Sequence, residues 1–177
     1  MSSIQPCEIP PGTLLSRYLG GGAYADCYLA EIAWPVSLAE YVTAFYTTPM
    51  IKLERLLLAW LVSRPSTDAQ AKQLASGTLN AFSAWNVESR AANQLLLSDF
   101  RGRTRSWLMV ATLENETPPG TRLYFGSAVV PVIDASSGQP TLGFTYRALL
   151  GFHKRYSRAL LRAARHRLLR SRRSPRN

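Results

Sequence analysis

The sequence predicts an α+β fold: a curved antiparallel sheet packed on a long C-terminal amphipathic helix, with two or three helices between the first and second strands. Three observations carry this. Phe82 to Val132 divides into four strand-like segments in series, at the spacing of an antiparallel meander. Ser37 to Gly77 is punctuated by helix caps and stops. The C-terminal segment combines an apolar stripe with the whole of the net charge. Residues 1–150 hold 11 Lys/Arg and 11 Asp/Glu, whereas 151–177 hold 10 Lys/Arg and no carboxylate, which accounts for the formal charge of +10.

The elements follow in order. Pro and Gly punctuate residues 1–22, read as an extended N-terminal arm. Tyr24 to Ile32 reads as a strand ended by Pro35. Ser37 and Glu40 have the spacing of a capping box, opening a short helix to about Tyr46. Pro49 suits a first helical position and restarts a helix through a largely apolar segment to Val62. Pro65 breaks it, Ser66 caps another helix from about Thr67 to Ser76, and Gly77 closes that one. The meander strands are Phe82 to Arg90, Gln94 to Arg101, Thr104 to Leu113 and Thr121 to Val132, followed by a polar loop over Asp134 to Gly143. The long helix runs from about Phe144 to Leu169. The chain thus divides into the arm (1–22), one α+β domain (23–169) and a basic disordered tail (170–177). At about 100° per residue, Leu149, Phe152, Tyr156, Leu160 and Ala163 share the apolar stripe of that helix, opposite Arg147, Lys154, Arg155, Arg158, Arg162 and Arg165.

Composition bounds the function. Apolar content of 46% and aromatic content of 10% belong to a folded globular chain. The longest apolar run, Leu56 to Val62, is far shorter than the ~20 residues of a membrane span. The start of the chain lacks the basic and apolar regions of a secretory signal, so the cytoplasm is the expected location. Cys7 and Cys27 make no disulfide framework, and Cys27 reads as a small buried apolar residue. Arg outnumbers Lys 18 to 3, which fits either anion recognition or an Arg-favouring genome.

The order strand, helices, meander, long C-terminal helix resembles the helix-grip fold of the START-like superfamily, which includes polyketide cyclases and lipid-transfer domains. The phrases Gly102 to Val110 and Thr121 to Val130 also resemble an uncharacterised bacterial family of unknown function. The resemblance implies a hydrophobic cavity between the sheet and the last helix. It also implies seven strands, against the five or six counted in the sequence, and fewer strands would leave the sheet more open.

The expected function is therefore binding of a small apolar or amphipathic ligand between the sheet and the helix. Its candidate lining residues are Trp85, Trp107, Tyr124, Phe152, His153 and Tyr156, with Arg105 anchoring an anionic end. Gly126 marks either a close approach or a bulge. Two alternatives stand beside this reading. In one, Arg155, Arg158, Arg162 and Arg165 dock an acidic partner or an anionic membrane surface. In the other, His153 is the general base of a cyclase- or hydratase-like enzyme, although no carboxylate lies near it in sequence. Asp99 reads as a salt-bridge partner across its turn, with an anion-binding hairpin of Arg101, Arg103 and Arg105 as the alternative. No Ser/His/Asp order, metal-ligand spacing or phosphate-binding loop is present, no cofactor is implied, and nucleic acid is not an expected partner.

Overall fold

In the computed structural model β1 (Gln5–Pro6) and β2 (Tyr24–Ile32) precede α1 (Leu38–Tyr46) and α2 (Asp68–Ser76). The meander is β3 (Ala81–Phe82), β4 (Trp85–Ala91), β5 (Gln94–Asp99), β6 (Thr104–Leu113) and β7 (Gly120–Val129). A small pair, β8 (Val132–Ile133) and β9 (Pro140–Thr141), leads into α3 (Phe144–Arg173). The structure describes residues 3–20, 22–53, 55, 66–114, 118–133, 140–141 and 144–173, with backbone alone at 132–133, 140–141, 144–152 and 173. Seven strands make one curved, open antiparallel sheet in the order β1-β2-β7-β6-β5-β4-β3. The predicted fold class holds, with the helices between β2 and β3 and α3 at the C-terminus.

Local chemistry sets the boundaries. At α1 the Ser37 hydroxyl accepts the Glu40 N–H while Glu40 accepts the Ser37 N–H, the reciprocal capping box. At α2 the cap is Thr67, one residue later than expected, again with a reciprocal partner in Gln70. Ser66 is diverted because its hydroxyl and carbonyl both accept from Arg55. Gly77 ends α2 in the left-handed region at φ 83°. Residues 49–53 are helical after Pro49. Two strands of the large sheet, β1 and β3, contain only two residues each, too short for alternation to show in sequence. The expected strand from Phe82 to Arg90 is split by a tight turn with Ser83 at φ 55°.

The sheet buries both faces. Its helix face carries Tyr28, Ala30, Ile32, Leu95, Leu97, Leu108, Leu123 and Phe125, packed against Val42, Phe45, Leu74, Leu161 and Leu168 of the helices. Its arm face carries Cys27, Leu96, Trp107, Met109, Tyr124 and Ala128, covered by Leu15 of the N-terminal segment. Residues 3–20 thus form an ordered layer. Gln94 Oε1 accepts from both Leu14 N and Trp107 Nε1 at 2.9 Å. The Tyr18 hydroxyl donates to Glu88 and accepts from Arg105 Nε at 2.8 Å.

Within α3, Ser157, Leu160, Leu161, Ala164 and Leu168 are buried and Ala163 is only half-buried. This face is turned by roughly 90° from the stripe read in the sequence, at ~100° per residue. The turn brings Arg158, Arg165 and Arg172 to the border of the packed face. Arg158 lies over the Tyr28 ring at 5.3 Å and Arg172 over the Trp34 ring at 4.5 Å. Arg165 Nε donates to the Glu31 carbonyl at 3.0 Å, beyond the point where β1 stops pairing with β2. These contacts explain why the helix continues past Leu169 to Arg173.

Candidate functional site

Strand register lays a polar row across the apolar helix face. Asp26 of β2 pairs with Ser127 of β7, and Ser127 pairs with Ser106 of β6. The next row inward is Tyr28, Phe125 and Leu108, so the polar row interrupts a continuous hydrophobic surface. Side chains from the helices meet it: Tyr46 of α1 shares a hydrogen bond with Ser106 at 3.2 Å, and His153 of α3 reaches Ser127. Above the row lies a cleft of about 160 Å³. Phe45, Tyr46, Ile51, Trp85, Phe125, Tyr156 and Leu160 form its apolar wall, with Thr104, Ser106, Ser127, His153 and Ser157 supplying polar groups.

Three of these groups are linked in series. The Ser127 hydroxyl donates to Asp26 Oδ1 at 2.6 Å, and His153 Nε2 lies 2.7 Å from Ser127 Oγ. A hydroxyl has one proton, so with it given to the carboxylate, Nε2–H is the donor to Ser127. Asp26 Oδ2 accepts from the Tyr24 hydroxyl at 3.2 Å and stands 3.8 Å from Nε2. The Asp26 side chain is only 10% exposed, and these hydrogen bonds offset the cost of burying its charge. Nearby, burial and the Asp26 carboxylate raise the Tyr28 phenol above its ordinary value. The trio is not a nucleophilic triad: Ser127 gives its proton to the acid, and both partners meet His153 through Nε2.

The candidate lining residues divide by face. Trp85, His153 and Tyr156 line the cleft. The Phe152 side chain lies outside the described residues. Trp107 and Tyr124 do not face the cleft; they stack at 6.1 Å on the arm face beneath Leu15. Both faces of β6 and β7 are apolar, so alternation alone could not tell which one meets the helix. Arg105 also borders the cleft, but its guanidinium is held toward the arm face, paired with Glu88 and bonded to Tyr18 and the Gly102 carbonyl. Gly126 is neither a bulge nor a ligand gap. The register runs regularly through it, and a Cβ there would meet Leu15 Cδ2 at 2.5 Å and Trp107 Cε3 at 2.9 Å.

The remaining candidates resolve similarly. Asp99 Oδ1 accepts the backbone N–H groups of Arg103 and Thr104 at 2.6 and 3.0 Å, holding the hairpin turn. Arg101 lies over the Phe100 ring while Arg105 is paired with Glu88, so these two guanidiniums serve different partners. Arg155, Arg158 and Arg162 are exposed and Arg165 is half-buried in its bond to β2. Among the described residues no cluster of three His, Cys, Asp or Glu could hold a metal ion, and no helix is long and apolar enough to cross a membrane. Sequence reading missed Asp26 and Ser127 as partners of His153. The signal was available in two polar residues sharing parity with Tyr28 and Phe125 on strands that register brings together. Comparison with protein-family models, curated proteins and solved structures gives no match.

Proposed function

We propose that the chain is a module that binds a small apolar or amphipathic molecule between the sheet and the C-terminal helix. One observation carries the reading: an aromatic-walled cleft ending on the Asp26–Ser127–His153 row. Ligand sites are mostly apolar, with a few placed polar groups that fix orientation. A volume of about 160 Å³ suits a single small ring, since an apolar cavity of ~150 Å³ holds benzene. The resemblance to START-like proteins, whose ligands lie between sheet and helix, supports the same placement, and the cytoplasm is the setting it assumes. Native mass spectrometry of freshly purified protein tests it directly. The expected result is a co-purified small molecule released on denaturation and missing from Thr104→Phe, which fills the cleft from its half-exposed rim. A wild-type spectrum identical to that of Thr104→Phe counts against it.

The Asp26–Ser127–His153 series favours a second reading, acid–base chemistry on the bound molecule. Asp26 orients Ser127, and Ser127 holds the His153 imidazole at the cleft, where it can serve as an acid–base group toward a bound molecule. Under this reading Ser127→Ala lowers turnover while leaving ligand affinity within a few fold; an equal loss of both returns Ser127 to a binding role.

A further inference from the structure

The two cysteines lie on the other side of the sheet from the cleft, and register brings them face to face. Gln5 and Pro6 pair with Leu29 and Tyr28, and the next step along both strands sets Cys7 against Cys27. The Cys27 carbonyl accepts the Cys7 N–H at 3.0 Å, and the two sulfurs are 3.0 Å apart. Directly opposed residues of antiparallel strands have Cα atoms about 4.5–5.5 Å apart. A disulfide spans ~4.4–6.8 Å, so the bond can close without moving the backbone. Burial distinguishes the two residues: Cys27 is 3% exposed in the cluster with Leu15, Trp107 and Ala128, whereas Cys7 is half-buried at its edge.

We propose that Cys7 and Cys27 form a reversible thiol–disulfide couple that exchanges with low-molecular-weight disulfides of the glutathione type and, when closed, fastens the N-terminal arm to the sheet. The Cys7 thiolate attacks one sulfur of the small disulfide; that S–S bond breaks and one small thiolate leaves, taking a proton. Cys27, its proton passing to solvent, attacks the Cys7 sulfur of the mixed disulfide and expels the second small thiol. The protein has lost two protons and two electrons, and the small disulfide has become two thiols. Exposure sets the order, since a reagent can reach Cys7 before Cys27. The electrostatics agree: a hydrogen bond from Cys27 lowers the Cys7 thiol, while the Cys7 neighbour and burial raise Cys27. The closed bond would tie both ends of the segment holding Leu14 on Gln94, Leu15 against Gly126 and Tyr18 on Glu88.

The test equilibrates the full chain in buffers of graded oxidised and reduced glutathione, quenches it in acid and counts alkylated thiols by intact mass. The expected result is loss of both thiols in one two-electron step, with no glutathione retained. Cys27→Ala should hold one glutathione on Cys7, and amide exchange over residues 13–19 should slow several-fold in the oxidised wild type. Glutathione retained on wild-type Cys7, chains cross-linked into dimers, or two free thiols in fully oxidised buffer would each overturn the couple. Unchanged exchange over 13–19 would overturn the fastening. The wild-type titration decides the couple even if Cys27→Ala does not fold.

Discussion

Ser127 is the residue on which the polar row depends. Its hydroxyl is buried and serves Asp26 and His153 together, so removing it strips a partner from a carboxylate that is 10% exposed. Ser127→Ala should cost about 1–3 kcal/mol, read by urea denaturation. A change within a few tenths of a kcal/mol would mean that the row is already well solvated. On the opposite face of the same strand, Gly126 leaves no space for a methyl group. Gly126→Ala should destabilise by about 1–3 kcal/mol through displacement of Leu15 or Trp107, and Leu15→Ala in the same chain should recover part of the loss. His153 could be flagged in sequence because a histidine stood within an apolar stripe. Parity alone places Asp26 and Ser127 on the same face as Tyr28 and Phe125, but their pairing across 101 positions appears only once the register is known.

At the scale of elements, strong local signals were legible and weak ones were not. The capping box of α1 and the turn residues on either side of β6 marked the bounds of those elements in the sequence. β1 and β3, with two residues each, carry no periodicity, so the seventh strand could not be counted in sequence. The rotation of α3 has the same kind of cause. Long arginine stems cover apolar surface, so a wheel that sorts residues by charge places the boundary wrongly. Arg165 closes an edge carbonyl of β2. Arg165→Gln should therefore lower the melting temperature, whereas Arg162→Gln, on the exposed side, should not. Equal effects would contradict the observed orientation of α3.

The start of α2 gives a pH prediction. Partial burial raises the Asp68 carboxyl, but hydrogen bonds from Lys52 and Arg55 outweigh it and leave Asp68 below its ordinary value. A carboxyl depressed on folding contributes stability above its unfolded value, about 3.9, and loses it as pH falls through the folded one. The melting temperatures of wild type and Asp68→Asn should therefore differ at neutral pH and converge as the pH falls below the ordinary carboxylate range. A gap that persists in acid would mean that Asp68 acts through backbone geometry instead.

At the scale of the whole molecule, the sheet separates two environments. One face meets the helices and holds the cleft; the other is sealed by residues 3–20. The arginines of residues 153–172 form a border and an outer surface beside the face that holds the cleft. Removing residues 1–19 should expose Trp107 and Tyr124, shift tryptophan emission to longer wavelength and lower the melting temperature by several degrees. An unshifted spectrum would show that the arm is dispensable. The central claim, a ligand cleft between sheet and helix, is tested most directly by titrating the protein with phenol and following amide and side-chain resonances. Saturable shifts should be confined to Phe45, Trp85, Phe125, His153 and Tyr156 and be abolished by Thr104→Phe. Non-saturating shifts, or shifts that survive Thr104→Phe, would contradict it.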